Sequence, residues 1–248
     1  MNDNELSTDS QETRRRFLYT YLSIACIIVF SVALFVNKMM APRVMSVKEL
    51  VNNGVITYQE PKTLLPFQLI DHNGETFDPS RLQGHWTLLF FGFTHCPDFC
   101  PATLAILKSF VAGLNDETRA DLQVMMVSVD PARDTPARMK DYMTTFNPNF
   151  VGITGDMAQI KLLADQLYIP FHQHPTPMPA QNTATHMDHG EHGNVAAMND
   201  AEENYTVPHG ENIVLINPQG QYHAFFKPPF TQARLKATYR SVVATYQP

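Results

Sequence analysis

Cysteine is scarce in this chain, which has only three among its 248 residues. Cys26 lies within a long apolar run, so a single pair, Cys96 and Cys100, remains for the rest of the chain. One pair excludes the framework of several disulfides that holds small secreted domains together. A close pair in a chain long enough to bury its own core favours a metal site or a redox site, with a structural disulfide as the alternative.

Charged residues are also few, at 17% of the chain, and the formal net charge is −6. Outside residues 1–36 there remain 15 basic residues (18 minus 3) and 20 acidic residues (24 minus 4). Nucleic-acid binding needs a clustered basic surface, and these charges are dispersed, so we expect no nucleic-acid partner. With 44% apolar residues, the composition is that of one buried domain with appendages.

One long segment without charge is present: residues 17–36 read FLYTYLSIACIIVFSVALFV. A helix of about 20 such residues spans the hydrocarbon core of a bilayer. Arginines occupy residues 14–16, whereas only Lys38 and Arg43 follow the segment closely. The positive-inside rule therefore predicts a cytoplasmic tail at 1–16 and a single pass, with the main domain outside. We expect this membrane to be the bacterial inner membrane and the main domain to be periplasmic.

A cleaved signal peptide is the alternative interpretation of residues 17–36. The apolar run exceeds the ~7–15 residues of a typical signal core, and no small-x-small cleavage site follows it before Pro42. We therefore favour an uncleaved membrane anchor.

Residues 37–60 lack a sustained period and are predicted to form a stalk, followed by one domain at 61–248. Within the domain, apolar runs and turn residues predict strands and helices in the order β-β-α-β-α-β-α-β-β-α. The strands are expected at 67–70, 86–93, 122–129, 151–154, 212–216 and 222–226, and the helices at 101–113, 135–146, 156–168 and 231–246. This order predicts the α/β class: a thioredoxin-like fold with a central mixed sheet flanked by helices, preceded by one transmembrane helix.

The cysteines lie where the central strand passes into a helix. Their spacing, C-x-x-x-C, is one residue longer than the C-x-x-C of thioredoxin redox enzymes. Residues four apart share one face of a helix, so the sulfurs of Cys96 and Cys100 are expected to converge. The first turn of a helix favours thiolate over thiol, and two soft thiolates select Cu(I), zinc or similar metals over magnesium or calcium.

Two thiolates leave a coordination position open, and His209 is the candidate for it. This histidine comes just before the strand predicted at 212–216. If that strand neighbours the one at 86–93, His209 lies at the same edge of the sheet as the helix that bears the cysteines. A solvated loop histidine is the alternative. His95 is adjacent to Cys96, and adjacent residues at a strand end tend to point to opposite sides, so we do not expect it to be a ligand.

The chain resembles the Sco/SenC family of copper-binding thioredoxin-like proteins over residues 66–246. The resemblance rests on four motifs that occur in the same order: PFQLIDHNGETF, LQGHWTLLFFGFTHCPDFCPATL, VSVDPARDTPARM and VPHGENIVLINPQGQY. The second motif is highly specific to the family. The resemblance implies a thioredoxin-like fold and metal ligands at Cys96, Cys100 and His209, holding copper as Cu(I) or Cu(II).

The resemblance also implies a function. A copper metallochaperone would deliver the ion to the dinuclear copper site of cytochrome c oxidase, with the copper-receiving subunit or another copper protein as partner and no small-molecule substrate. The alternative is a thiol:disulfide oxidoreductase that keeps partner cysteines reduced through Cys96 and Cys100. Only in that second case would the chain be an enzyme.

Two features depart from the family pattern. Pro208 and Gly210 flank His209, where family members commonly have Asp and then Ser or Thr, and the isomer of the bond before Pro208 is left open. An expanded segment, 171–205, is rich in histidine and methionine and is interpreted either as a copper-capturing loop or as a solvated insertion. Its histidines and methionines are His172, His174, His186, His189, His192, Met178, Met187 and Met198.

Overall fold

The computed structural model describes residues 3–40, 44–170, 176–177, 205–206 and 210–247. The chain divides into two compact units, Met1–Arg43 and Val44–Pro248. The first consists of one helix, and the second is an α/β domain.

The helix of the first unit, α1, runs over Asp3–Met40. Its apolar stretch, Arg16–Val36, is 21 residues long and has none of its length buried. No proline occurs before Pro42, so nothing interrupts the helical hydrogen bonds. Among the described residues this is the one helix long and apolar enough to cross a membrane, which agrees with the apolar helix predicted over 17–36.

The second unit alternates strands and helices along most of its length. In chain order its elements are α2 Val47–Asn52, β1 Val55–Thr63, β2 Leu69–Asp71, β3 Thr76–Phe77, a 3₁₀ turn Pro79–Leu82, β4 Trp86–Gly92, α3 Phe99–Ala112, α4 Asp116–Ala120, β5 Leu122–Ser128, α5 Pro136–Phe146, β6 Val151–Thr154, α6 Met157–Gln166, β7 Thr176–Pro177, β8 Tyr205–Thr206, β9 Ile213–Ile216, β10 Gln221–Phe226 and α7 Gln232–Thr245.

Eight of these strands form one mixed sheet in the order β1-β10-β9-β4-β5-β6-β2-β3. The pairs β4–β5 and β5–β6 are parallel, and the other neighbouring pairs are antiparallel. The parallel pairs are joined by crossovers that contain helices, as parallel strands require. The two short strands β7 and β8 pair separately with each other.

The central strand β4 lies between the two apolar clusters of the domain, and all seven of its residues are buried. Leu88 and Phe90 belong to one cluster, together with residues of α3, α5 and α7. Leu89 and Phe91 belong to the other, together with residues of α6. A strand covered on both faces needs an almost continuous apolar sequence, which is why WTLLFFG shows no alternation. The predicted mixed sheet flanked by helices is therefore confirmed.

The prediction of a stalk at 37–60 is wrong for residues 44–60, which belong to the folded domain. Ser46 begins α2 with a capping box: its Oγ accepts from the Glu49 N–H at 3.3 Å, and the Glu49 carboxylate accepts from the Ser46 N–H at 2.8 Å. Leu50 and Val55 are buried in the core. The pairing partner of β1 is β10, from the far end of the chain, so no local period reveals this strand.

The hairpin predicted near the C-terminal end is confirmed. Asn217 Oδ1 accepts hydrogen bonds from the N–H groups of Gln219 and Gln221, both at 3.0 Å. Gly220 has a φ of +75°, in the left-handed region that favours glycine. The turn sequence therefore defines how β9 leads into β10.

We predict that Leu88→Ala lowers the free energy of unfolding by about 2–5 kcal/mol, because this side chain is fully buried in the central strand. Urea unfolding of the full-length chain in detergent, followed by the fluorescence of Trp86, measures the change; Trp86 is the single tryptophan of the chain. Leu65→Ala is the matched control: Leu65 is 62% exposed, and the expected change is within about 0.5 kcal/mol. Equal effects of the two substitutions would contradict the assigned core.

Candidate metal centre

The two cysteines meet at the N-terminal end of α3, close to the end of β4. Cys100 lies in the first turn of α3, which begins at Phe99, two residues earlier than predicted. Cys96 lies in the preceding loop, where its N–H donates to the carbonyl oxygen of Phe93 at 3.1 Å. The Cys100 N–H donates to Cys96 Sγ at 3.4 Å. The sulfur of Cys96 thus accepts from one of the N–H groups that a helix leaves free at its start.

The expected convergence is found, but the expected reason for it is wrong. We predicted that the two residues share one helical face, whereas Cys96 is outside the helix. The N-cap residue is Asp98, and its side chain makes no capping hydrogen bond. Cys96 Sγ accepts a hydrogen bond in the place where a capping side-chain oxygen would ordinarily do so.

The two thiols differ in environment. Cys100 is fully buried, and Cys96 is half-buried. The hydrogen bond with Cys96 and burial both raise the pKa of the Cys100 thiol well above its ordinary value. Cys100 therefore carries its proton at neutral pH until a metal or a new bond replaces it.

Gly92, the last residue of β4, makes room for the buried thiol. A Cβ atom built on Gly92 lies 2.7 Å from Cys100 Sγ and 3.1 Å from Met126 Sδ. A separation of 2.7 Å is too short for a carbon and a sulfur that are not bonded, so glycine is required by this close approach. We did not single out Gly92 from the sequence. A glycine that ends an apolar strand shortly before a cysteine pair could have indicated a close approach to the backbone at that point.

A buried carboxylate holds the loop that carries Cys96. Asp134 is fully buried and accepts from Thr94 Oγ1 at 2.6 Å, from the Thr94 N–H at 3.1 Å and from Ser128 Oγ at 2.6 Å. Asp134 is not the cap of α5, because that cap is Thr135, whose Oγ1 accepts from the Arg138 N–H. Burial raises the pKa of Asp134, and its hydrogen bonds with Ser128 and Thr94 oppose that rise.

His95 is engaged through both ring nitrogens. Arg138 Nη2 lies 2.9 Å from His95 Nε2, and Thr94 Oγ1 lies 3.2 Å from His95 Nδ1. Burial and the charges of Arg138 and Arg133 lower the pKa of His95. Neither nitrogen is therefore available to a metal in this arrangement.

His209 and Pro208 lie outside the described residues, and so do all the histidines of the expanded segment. The described chain resumes at Gly210, whose N–H donates to the carbonyl oxygen of Pro170 at 2.8 Å. A backbone hydrogen bond thus links Pro170, which precedes the expanded segment, to Gly210, which follows His209. Within the described ranges there is no cluster of three or more His, Cys, Asp or Glu side chains arranged to hold a metal ion.

Comparisons with known proteins decide the family. The family profile described as SCO1/SenC matches residues 57–195. A protein of Stutzerimonas stutzeri whose name calls it copper-binding is 33% identical over 176 residues, which are 71% of this chain and 74% of that protein. The chain belongs to the SCO1/SenC family. The SCO1/SenC match includes both cysteines and ends before His209.

Solved structures with copper bound resemble the domain. Yeast Sco1 with copper bound aligns with a TM-score of 0.61 and 27% identity, covering 76% of this chain and 92% of that one. Arabidopsis thaliana ScoI with copper bound aligns with a TM-score of 0.58 and 27% identity, covering 73% of this chain and 98% of that one. These SCO1/SenC likenesses agree with the thioredoxin-like sheet order described above.

We predict that Gly92→Ala destabilises the protein by about 1–3 kcal/mol, because the added methyl group collides with Cys100 Sγ in a packed core. Urea unfolding measures the change. Gly113→Ala is the control, since its added Cβ meets the far ends of Gln232 and Lys236, which can move aside. A Gly92→Ala protein as stable as the control would contradict the close approach of strand and thiol.

We also predict that iodoacetamide modifies Cys96 before Cys100. Cys96 is half-buried, whereas Cys100 is fully buried and holds its proton through a raised pKa, so the two rates should differ by at least about tenfold. The measurement is mass spectrometry of peptides from the reduced full-length chain in a Cys26→Ser background. Equal rates would contradict the assigned difference in environment.

Proposed function

We propose that this chain is a membrane-anchored copper metallochaperone. Cys96 and Cys100 hold one copper ion as thiolates, and the imidazole of His209 completes the site. The ion is cargo that passes to a protein recipient. No small-molecule substrate and no nucleic acid take part.

One observation carries the proposal: Cys96 Sγ and the Cys100 N–H are in hydrogen-bond contact at 3.4 Å, in a chain of the SCO1/SenC family. Two sulfurs at the start of one helix offer a soft donor pair, which suits Cu(I) and excludes hard ions such as magnesium. The pKa of the Cys100 thiol is raised, so this residue would release its proton as the metal binds. Free thiols rather than a disulfide are present, so both sulfurs can bind.

The strand register supports His209 as the third ligand. Leu89 of β4 pairs with Val214 of β9 in antiparallel orientation. The N-terminal end of β9 therefore lies beside the end of β4 from which the cysteine loop leaves. His209 precedes β9 by a few residues, and the family resemblance implies a ligand at this position. Copper binds both thiolate sulfur and imidazole nitrogen, so a histidine can complete a copper site formed by two cysteines.

The apolar helix supports the membrane anchor. We propose that residues 17–36 span the bacterial inner membrane, that residues 1–16 are cytoplasmic and that the domain faces the periplasm. The excess of arginine before the span over the basic residues after it supports this orientation. An anchored chaperone would meet membrane-bound recipients without searching the whole compartment.

For the recipient, we propose the copper-receiving subunit of cytochrome c oxidase or another copper protein. The family resemblance implies this recipient, and the solved structures of yeast Sco1 and of Arabidopsis thaliana ScoI with copper bound support copper as the ion that is passed on. The copper-capturing role considered for the histidines of the expanded segment, 171–205, remains a prediction outside the described residues.

The first test is copper stoichiometry. The full-length chain should retain about one copper ion after desalting, and Cys96→Ser, Cys100→Ser or His209→Ala should each weaken binding by at least about 100-fold, since each removes a ligand. Metal analysis after competition with a chelator gives the values. Cys26→Ser and His85→Ala are the matched controls, because Cys26 lies in α1 and His85 is exposed. Retention of copper by the Cys96→Ser, Cys100→Ser double variant would reject the site.

A thiol:disulfide oxidoreductase is the second candidate, and one observation favours it: Cys96 is half-buried, whereas Cys100 is buried. In such an enzyme the more accessible cysteine attacks the partner disulfide and the other cysteine resolves the mixed disulfide. His209→Ala separates the two functions. Loss of copper with unchanged reduction of a disulfide-bonded recipient supports the chaperone. Normal oxidase assembly by the His209→Ala protein would instead support the reductase.

Copper affinity should rise with pH through the neutral range. The pKa of Cys100 is raised, so this thiol is protonated when free and must release its proton to bind copper. The apparent affinity should therefore increase at least about tenfold per pH unit. Competition titrations between pH 6 and 8, in roughly half-unit steps, measure the slope. An affinity independent of pH would contradict binding by Cys100 thiolate.

A further inference from the structure

We propose that Thr94 is a positioning residue of the metal centre: its hydroxyl, held between Asp134 and His95, fixes the loop that carries Cys96. This inference rests on the copper site proposed above. The role differs from that of a ligand, because Thr94 would act only through the backbone that leads to the sulfur.

The inner half of the arrangement is a buried anchor. Asp134 is fully buried, and three donors from two other segments converge on it: Thr94 Oγ1, the Thr94 N–H and Ser128 Oγ. A buried carboxylate is costly unless hydrogen bonds satisfy it, so its donors are held firmly in place. Ser128 ends β5, the strand that pairs with the central strand β4, so the anchor is part of the rigid sheet.

The outer half has a defined direction of hydrogen bonding. Arginine can only donate, so Arg138 Nη2 donates to His95 Nε2, and that nitrogen carries no proton. In neutral His95 the proton is then on Nδ1, which donates to Thr94 Oγ1. The Thr94 hydroxyl in turn donates to Asp134 Oδ1. These hydrogen bonds form a series that runs from the exposed Arg138 on α5 through His95 to the buried Asp134, and Thr94 is its central member.

The position of Cys96 depends on this series of hydrogen bonds more than the position of Cys100 does. Cys100 belongs to α3 and packs against β4 at Gly92, so helix and sheet both fix it. Cys96 lies in a loop outside any helix or strand, two residues beyond Thr94. Holding Thr94 from both sides therefore limits how far Cys96 Sγ departs from the Cys100 N–H. A preorganised ligand keeps its metal longer than one that must be ordered on binding.

The test compares Thr94→Val, which removes the hydroxyl while keeping the shape, with Thr94→Ser, which keeps the hydroxyl. In the full-length chain we expect Thr94→Val to release copper to a Cu(I) chelator about 10- to 100-fold faster, and Thr94→Ser to stay within about threefold of the wild type. Thr145→Val is the control, because Thr145 is an exposed threonine of α5 that bonds its own helix. Equal acceleration by the valine and serine variants, or none by valine, would overturn the proposal.

Two readouts need no metal and separate this proposal from the proposed function. The nitrogen spectrum of His95 should show the Nδ1–H tautomer in the wild type, Thr94→Ser and Thr94→Val, because Arg138 donates to Nε2 in all three, and the Nδ1–H signal should shift and exchange faster with water only in Thr94→Val, which removes its acceptor. The rate of Cys96 alkylation should change at least about threefold in Thr94→Val alone. If the wild type binds no copper, the proposed function fails, while these two readouts still decide whether Thr94 positions the loop.

Arg138→Leu provides a second variant should Thr94→Val not fold. Arg138 is exposed, so its replacement leaves the buried anchor intact while removing the donor to His95. We expect the Nε2 signal of His95 to shift, because its hydrogen-bond donor is lost, and copper release to accelerate less than in Thr94→Val. An unchanged Nε2 signal would overturn the assigned donation from Arg138 to His95.

Discussion

The Cys100 N–H donates to Cys96 Sγ at the point where β4 leads into α3, and the proposed chemistry depends on that contact. The contact requires that α3 start close to the end of the central strand. It also requires that Gly92 leave space for the Cys100 sulfur, since a Cβ atom there would lie 2.7 Å away. The apolar clusters on both faces of β4 fix the strand and the helix relative to each other, so the core positions the site.

Residues with strong local signals were predictable from the sequence. The buried strand β4 follows from a continuous apolar run, α5 from the Thr-Pro pair that begins it, and the β9–β10 hairpin from Asn217 and Gly220. In each case the physical cause lies within a few residues of the element. The order of these elements then limited the fold to a thioredoxin-like sheet.

Features with distant causes were not predictable. The strand β1 forms because β10, about 170 residues later, offers an edge to pair with. Asp134 binds Thr94, 40 residues away, and nothing in the sequence VSVDPARDTP distinguishes that role from a helix cap. The cysteine pair was found from its spacing, but the position of Cys96 outside α3 depends on loop geometry that spacing does not encode.

The unequal environments of the two cysteines suit the proposed function, in which the protein must both keep and give up an ion. In the proposed site the fully buried sulfur of Cys100 would keep its bond to copper, because no competing ligand reaches it. The half-buried sulfur of Cys96 would be the point where an incoming thiolate from a recipient begins ligand exchange. Burying both would trap the ion, and exposing both would lose it to any competing thiol. In the proposed copper site, one cysteine on a packed helix and the other on a tethered loop would combine retention with transfer.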